Sequence, residues 1–241
     1  LHDSPETQYT LLDVESIREN EAFRHHILDT YLKDDQALLD WWNDFYDALG
    51  QQFRLEVITP VLTKMAQFSQ TRIARRILGQ PQTTLHLTEI VKQGRILILT
   101  TAQGIVGAET ARLVGATLLG ALRVTIEEQV HLAPTARQRM LVLVDEFQAL
   151  PGVPFASMLA ELRKFGAAFV LATQTLADAE HPNSNVLAPV LANCDMLFCF
   201  AMSATDAKWL EGELDGVVTP RDLVNLPNYT CYAKLTVQGT R

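Results

Sequence analysis

The chain has 241 residues, of which 48% are hydrophobic and 20% charged. This balance is typical of a globular protein with a buried core and excludes a disordered segment. The 28 acidic residues outnumber the 20 Lys and Arg, so the formal net charge is −8 and the surface as a whole does not attract nucleic acid. Any DNA contact must therefore come from local basic groups. No apolar stretch reaches the roughly 20 residues of a membrane span, and the best one, residues 113–122, stops at Arg123.

The opening residues and the three cysteines show no pattern typical of a secretory signal, a disulfide or a metal site. The sequence begins with Leu1 and not with Met, so we expect it to start inside a longer protein, with any membrane anchor outside this chain. No basic segment followed by an apolar one opens it, which argues against a secretory signal. Cys194, Cys199 and Cys231 show no spacing typical of a metal site or a disulfide, and Cys199 lies in an apolar run that favours burial.

Residues 1–80 are predicted to form an all-α subdomain. From about Ser16 to Leu78, apolar residues recur at the spacing of helices, with Gly50 expected to end the second helix and Pro60 to precede the third. The first stripe comprises Ile17, Ile27, Leu28, Tyr31 and Leu32, the second Leu38, Trp41, Trp42, Phe45, Tyr46 and Leu49, and the third Val61, Leu62, Met65, Phe68, Ile73 and Ile77.

Residues 81–241 show a different pattern, in which short apolar runs alternate with helical segments. This predicts an α/β domain with a mainly parallel sheet, and the near-continuous apolar runs predict strands covered on both faces. The predicted strands are Arg95–Thr100, Met140–Val144, Phe169–Thr173, Met196–Ala201 and Tyr232–Val237. The predicted helices are approximately Val106–Glu128, Phe155–Phe165 and Thr205–Leu214.

Two carboxylates follow the apolar run of residues 140–144. Asp145 and Glu146 are expected at the carboxyl end of a buried strand, which is the edge where parallel α/β sheets bind their ligands. The first carboxylate is suited to hold Mg²⁺ directly or through water, and the second to orient or deprotonate an attacking water. The alternative is a strand that simply ends in solvated acids before a turn.

A second apolar run, residues 169–172, is followed by the polar residues Thr173 and Gln174. Because one helix separates the two strands, Gln174 is expected at the same sheet edge as Asp145 and Glu146, where its amide can bond a phosphate or the attacking water. The alternative for Gln174 is a residue that only begins the next segment. Two such motifs about thirty residues apart are more specific than either one alone.

Basic residues occur at two further positions. Arg163 and Lys164 end a helix before Gly166, where cations complement the helix dipole, and Arg163 is alternatively an arginine finger that reaches the nucleotide of a neighbouring subunit. Arg72, Arg75 and Arg76 have i, i+3, i+4 spacing and form one basic helix face, which either meets phosphates or is merely solvated.

These motifs resemble the conjugative DNA-transfer ATPases of type IV secretion systems, the TraG/TraD-like coupling proteins of the HerA/FtsK group of ring-forming P-loop NTPases. The resemblance extends over nearly the whole chain. It is carried by residues 68–79, 94–98, the helix after Gly107, and residues 144–147, 162–166, 172–174, 222–227 and 232–235.

The resemblance implies the C-terminal part of a RecA-like core, with an all-α subdomain placed between the phosphate loop and the Walker B strand. It also implies ATP and Mg²⁺ as cofactors, DNA as the substrate, a homo-hexameric ring, and partners among type IV secretion or relaxosome proteins. Asp145 and Glu146 would be the Walker B pair, with Asp145 on the metal, Gln174 the nucleotide sensor, and Arg163 the basic group from the neighbouring subunit. A cytoplasmic location follows, at the inner membrane face if a segment outside this chain anchors it.

One departure from the family pattern is important. The phosphate-loop motif Gly-x-x-x-x-Gly-Lys-[Ser/Thr] is absent from the sequence, and the nearest imitation, residues 104–107, has no Lys. We expect the loop to precede this chain. Two functions therefore remain open. The chain is either part of an ATP-driven DNA motor or a non-catalytic docking module. Such a module keeps the NTPase fold and binds a secretion-channel or relaxosome protein.

Overall fold

Helices dominate the first half of the chain in the computed structural model, which describes residues 9–101, 103–150, 152–176, 180–181, 184–185 and 187–236. The α-helices are α1 (Val14–Glu19), α2 (Glu21–Tyr31), α3 (Gln36–Asp40), α4 (Gln51–Ser69), α5 (Arg72–Leu78), α6 (Leu87–Lys92), α7 (Gln103–Val106), α8 (Ala108–Glu127), α9 (Phe155–Leu162), α10 (Leu187–Ala192), α11 (Ala204–Leu210) and α12 (Pro220–Val224). A π-helical turn spans Trp41–Tyr46, and 3-10 turns span Leu11–Asp13, Glu128–His131, Pro134–Ala136, Phe147–Ala149, Arg163–Phe165 and Gly212–Leu214. The strands are β1 (Met140–Val144), β2 (Ala167–Leu171), β3 (Glu180–His181), β4 (Ser184–Asn185), β5 (Met196–Cys199) and β6 (Tyr232–Leu235).

The described residues fall into two compact units. The helical unit comprises the residues through His86 together with Ile98–Thr117, and the α/β unit comprises Leu87–Leu97 and the residues from Leu118 onward. The domain boundary predicted after residue 80 remains a prediction. No helix in the described part of the chain is both long enough and apolar enough to cross a bilayer.

A buried arginine organises the helical unit. Arg24 on α2 is 2% exposed, and its guanidinium donates to Asp47 Oδ1 at 2.6 Å and to the carbonyl oxygen of Ile17 at 3.1 Å. It also lies over the Tyr46 ring, 5.4 Å from the centroid. A buried charge requires an ion pair and hydrogen bonds, and these contacts supply them at the two terminal nitrogens, whereas Arg24 Nε is buried without a partner among the described residues.

Two predicted helix boundaries differ from the structure. Gly50 does not end a helix but precedes α4 as its N-cap residue, and Pro60 lies inside α4 instead of before a new helix. Pro60 lacks an N–H and therefore removes one backbone hydrogen bond from the middle of the helix, yet the helix continues to Ser69. The second predicted helix is divided into α3 and the π-helical turn.

The described strands of the α/β unit form three separate two-stranded ladders. β1 and β2 are parallel, and Val144 pairs with Leu171 at their carboxyl ends. β5 and β6 are antiparallel, with Cys199 opposite Tyr232, and β3 and β4 form a two-residue antiparallel pair. Burial raises the pKa of the Cys199 thiol, which agrees with its predicted role as a buried apolar side chain.

Two expectations about the strands are wrong for the described residues. Residues 95–100 form no strand, because no described strand pairs with them, and Ile96 is 90% exposed. Strand β1 is covered on one face only, since Val142 and Val144 are buried whereas Leu143 is 69% exposed. The predicted strand of residues 169–173 lies two residues earlier, at Ala167–Leu171.

Candidate active site

The carboxyl edge of β1 and β2 brings three of the predicted site residues together. Beyond the last register pair, the N–H of Ala172 donates to the Val144 carbonyl oxygen at 2.9 Å, and the N–H of Phe147 donates to the Ala172 carbonyl oxygen at 3.2 Å. These bonds hold the two chain segments side by side past the ends of the strands. Asp145 and Glu146 on one segment and Gln174 on the other therefore lie at the same edge of the ladder.

The backbone turns sharply at the acidic pair. Glu146 adopts a left-handed conformation with φ 50° and ψ 47°, which costs a residue other than glycine about 1–3 kcal/mol. Asp145 Oδ1 accepts a hydrogen bond from the Glu146 N–H at 3.0 Å and so supports this turn. Residues held in such conformations concentrate at functional sites, where the surrounding packing maintains them.

That packing comes from the residue after the pair. Phe147 is 4% exposed and its ring contacts the Phe155 ring edge-on, with the centroids 5.5 Å apart. Phe155 begins α9 and is itself buried. The turn that displays Asp145 and Glu146 is thus anchored in the core by an aromatic pair, a geometry that stabilises beyond simple burial.

The Glu146 carboxylate is only half satisfied. Its Oε2 accepts a hydrogen bond from Nε2 of Gln148, whereas its Oε1 and the Gln148 Oε1 are buried without a hydrogen-bond partner among the described residues. An unpaired buried acceptor costs about 1–3 kcal/mol, and more when it is charged. A cation or a hydrogen-bond donor that enters the site would remove this cost.

The segment after β2 displays Gln174 to solvent. The Thr173 hydroxyl donates to the carbonyl oxygen of Thr175 at 2.8 Å, and the Thr175 N–H approaches Thr173 Oγ1 at 3.3 Å. This local pair of bonds stabilises the bend in which Gln174 stands with an exposed side chain. Gln174 is therefore accessible to a ligand at the carboxyl edge.

The donors at this edge suit magnesium bound together with a ligand, but not a metal held by the protein alone. No group of three or more His, Cys, Asp or Glu able to hold a metal occurs in the described part of the chain. Mg²⁺ in proteins is commonly bound by one or two carboxylates plus water and substrate phosphates, and the exposed Asp145 supplies one such carboxylate. The backbone cradle and Lys that hold phosphates in P-loop enzymes are absent from the sequence.

The fourth predicted site residue lies at the other end of β2. Arg163 begins the 3-10 turn that precedes this strand, and the structure does not bring it together with Asp145. Its side chain is 82% exposed, and its Nη1 lies 3.5 Å from Oδ2 of Asp195, which is also exposed. Within one subunit, the guanidinium is displayed to solvent.

A buried glutamine holds the backbone of this turn. Gln129 is 6% exposed, and its Nε2 donates to the Phe165 carbonyl oxygen at 2.9 Å and to the Gln138 carbonyl oxygen at 3.3 Å. Its Oε1 accepts from the Gln138 N–H at 2.7 Å. No signal in the sequence marks Gln129, because its three bonds join segments that are distant in sequence.

Two further contacts fix the same turn. Arg137 donates from Nη1 to the Lys164 carbonyl oxygen at 2.5 Å, and its guanidinium lies over the Phe165 ring at 5.5 Å. Gly166 has φ 91°, and a Cβ there would lie 2.9 Å from the Gln138 carbonyl oxygen, so only glycine fits. The backbone from which Arg163 projects is therefore rigid although the side chain is free to solvent.

Comparison with known proteins defines the family. The family described as the type IV secretion-system coupling protein DNA-binding domain matches residues 86–216, which is more than half of the chain. The chain therefore belongs to this family and is a TraG/TraD-like type IV coupling protein, as its motifs predict. No curated protein sequence matches the chain.

Two solved structures share its fold. One is the bacterial conjugative coupling protein TrwBdeltaN70 in an unbound monoclinic form, with a TM-score of 0.60, 17% identity and 80% of this chain covered. The other is the plasmid coupling protein TrwB in complex with the non-hydrolysable GTP analogue GDPNP, with a TM-score of 0.56, 16% identity and 80% coverage. The chain spans 50% of each of these proteins. The predicted fold class is confirmed as a RecA-like α/β fold with parallel strands and N-terminal helices.

Proposed function

We propose that this chain is part of an ATP-driven motor that moves DNA during conjugation, and that ATP is hydrolysed at the subunit interfaces of a homo-hexameric ring of the HerA/FtsK type. The observation that carries the proposal is the acidic pair Asp145 and Glu146, which ends a parallel strand beside Gln174 in a chain of the coupling-protein family. The nucleotide analogue bound to TrwB supports a nucleotide site in proteins of this fold.

Each residue at the carboxyl edge has a distinct role in this proposal. Asp145 would serve as a Walker B metal ligand, because its carboxylate is exposed and its Oδ1 is already oriented by the Glu146 N–H. Glu146 would orient the attacking water and accept its proton, and Gln174 would bond the phosphate end of the nucleotide. When bound, ATP supplies the γ-phosphoryl group and Mg²⁺ neutralises its charge.

Arg163 would act on the nucleotide of the neighbouring subunit. Its contact with Asp195 is an exposed ion pair at 3.5 Å, and such pairs contribute about 0.2–1 kcal/mol. Breaking this ion pair so that Arg163 can contact a phosphate therefore costs little free energy. Gln129 and Arg137 hold the backbone of this turn in place. The Arg163 guanidinium can therefore move only by rotation of its own side chain.

The proposal also includes the substrate, the partners and the location of the motor. DNA is the substrate, consistent with the DNA-binding description of the family, and type IV secretion or relaxosome proteins are the partners. The proposed location is cytoplasmic, and at the inner face of the membrane if a segment outside this chain anchors the protein. The phosphate loop would likewise come from outside the chain.

Glu146→Gln in the full-length protein tests the catalytic proposal. The change preserves size but removes the carboxylate charge, and general acid–base groups contribute about 10²–10⁴-fold, so DNA-stimulated ATPase should fall at least about a hundredfold. ATP affinity and thermal stability should stay close to wild type. Glu161→Gln is the matched control, because Glu161 lies on α9 and is half-exposed in contact with Arg123, away from the acidic pair.

Full ATPase activity in Glu146→Gln would contradict the catalytic role of Glu146. The non-catalytic docking module would then be the better account, and the absence of a phosphate loop from this sequence is what favours it. In that case, neither Asp145 nor Gln174 should affect turnover.

The chain by itself should bind Mg-ATP weakly or not at all. The carboxyl edge supplies only groups on the metal side, and the backbone cradle and Lys for the phosphates are missing. Calorimetry with micromolar Mg-ATP is expected to show no saturable heat for the 241-residue chain. Tight binding would mean that the site lies elsewhere.

A further inference from the structure

The sequence around α5 departs from the acidic character of the chain. Between Glu56 and Glu89 there is no Asp or Glu, although the whole chain has 28 acidic residues. The same segment carries Lys64 and the three arginines of α5. Positive charge is therefore concentrated locally in a protein whose net charge is −8.

The structure places the three arginines on the solvent side of α5. Arg72, Arg75 and Arg76 are exposed, and at about 100° per residue they fall within an arc of about 100°. Ala74, which is buried, lies on the opposite side of the helix. We name the surface formed by Arg72, Arg75 and Arg76 the α5 basic face.

The α5 basic face is held in place by its surroundings but is not neutralised by them. Thr71 caps α5 and its hydroxyl lies 3.2 Å from that of Thr110, within the helical unit. No ion pair in the described part of the chain involves the three arginines. Among their side chains, that of Arg75 donates one hydrogen bond, from Nη1 to the Ser69 carbonyl oxygen at 2.7 Å. Glu15 lines a surface depression with Ser69 yet does not pair with Arg75.

Helix stability does not explain Arg72. It is the first residue of α5, directly after the N-cap Thr71, and a cation at this end opposes the helix dipole. Stability alone would favour an acidic residue there. Arg75 and Arg76 lie in the last turn, where a cation is favourable, so Arg72 is the arginine that requires another reason.

We propose that the α5 basic face binds the phosphate backbone of DNA, which adds a contact outside residues 86–216, the segment that matches the DNA-binding family. The proposal rests on the proposed DNA-moving function. Exposed guanidinium groups without carboxylate partners bind phosphates with charge-assisted hydrogen bonds and without regard to base sequence. Such a contact suits a motor that must hold DNA of any sequence.

The experiment measures the salt dependence of DNA binding by the full-length protein. Fluorescence anisotropy with a labelled duplex and with its single strand gives the slope of log K against log salt concentration. Each phosphate contact contributes about 0.9 to this slope on duplex and about 0.7 on single strands. Arg72→Gln combined with Arg76→Gln should therefore lower the slope by about 1.8 on duplex or about 1.4 on single strands.

Two further variants separate binding from folding. Arg112→Gln removes the same charge from an exposed arginine that is paired with Glu109, and it should leave the slope unchanged. Arg72→Glu should weaken DNA binding while leaving the melting temperature unchanged or higher, because an acid suits this end of the helix.

The outcomes distinguish this proposal from the proposed function. If the wild type binds DNA with a slope that the double variant does not change, or that Arg112→Gln lowers equally, the α5 basic face is not the contact and the motor proposal stands. If the wild type shows no salt-dependent binding to either DNA, both proposals fail.

Discussion

Buried polar groups are fully hydrogen-bonded at one end of the β1–β2 ladder and incompletely hydrogen-bonded at the other. At the amino end, the side chain of Gln129 is buried with both polar atoms bonded, and the Met140 N–H donates to the Gly166 carbonyl oxygen at 2.9 Å. At the carboxyl end, Glu146 Oε1 and Gln148 Oε1 are buried without partners among the described residues, beside a left-handed backbone at Glu146.

The two ends of the ladder therefore differ in how completely their buried polar groups are bonded. Folding favours bonding of every buried donor and acceptor, so a fully bonded group such as Gln129 is explained by stability alone. A half-bonded carboxylate such as that of Glu146 is not, because stability would favour an apolar residue or a complete set of partners. The unsatisfied end is thus the one where a ligand is expected.

The largest effect is expected for Arg163→Ala in the full-length protein. Arginine fingers contribute about 10³–10⁵-fold to turnover, so ATPase activity should be abolished. If Arg163 acts across the interface, mixing Arg163→Ala with Glu146→Gln subunits should restore part of the activity, because some interfaces then contain both intact groups. Arg221→Ala, which changes an exposed arginine in α12, serves as the control with wild-type turnover. Inactive mixed rings would contradict a role in trans.

A paired comparison of Gln129→Ala and Gln148→Ala tests the contrast between the two ends directly. Gln129→Ala leaves the Phe165 carbonyl oxygen and the Gln138 N–H without their partner and should cost about 1–3 kcal/mol of unfolding free energy per group. Gln148→Ala removes an oxygen that already lacks a partner and one hydrogen bond to Glu146 Oε2, so it should lower the unfolding free energy by less than Gln129→Ala, which removes three bonds. Its effect should appear in ATPase activity, because it frees Glu146.

Urea unfolding of both variants beside the wild type gives the stability term. Equal losses of stability would erase the distinction between the two ends. A large loss for Gln148→Ala alone would reverse it.

The smallest effect concerns a bonded polar group far from either end. Asp222 accepts from the Thr219 hydroxyl at 2.6 Å and from the Thr219 N–H at 2.9 Å, and these bonds hold the Asp222 pKa below its ordinary value. A lowered folded pKa contributes stability that is present above the unfolded pKa and is lost as pH falls through the folded value. Asp222→Ala should therefore lower the melting temperature modestly at neutral pH and leave ATPase activity unchanged.

Thermal melts from pH 7 downward check this sign. The difference between wild type and Asp222→Ala should shrink below about pH 4, and Thr219→Ala should reproduce the effect. A difference that grows in acid would mean that the carboxylate is destabilising in the folded protein.

Features that depend on neighbours along the chain could be predicted from the amino-acid sequence. Apolar spacing located α8, α9 and α11 to within a few residues, because every helical hydrogen bond joins residues four positions apart. The run of residues 140–144 followed by Asp145 and Glu146 likewise located a strand and its polar end. The roles of Asp145, Glu146, Gln174 and Arg163 remain predictions.

Contacts between segments that are distant along the chain could not be predicted, because they form only on folding. Residues 95–100 have the composition of a strand but form none, because a strand needs a partner and no described strand pairs with this one. Strands β5 and β6 are antiparallel, which no local pattern specifies. Gln129 is an ordinary glutamine in sequence, and it holds the turn that displays Arg163 only because folding brings residues 138 and 165 to its two polar atoms.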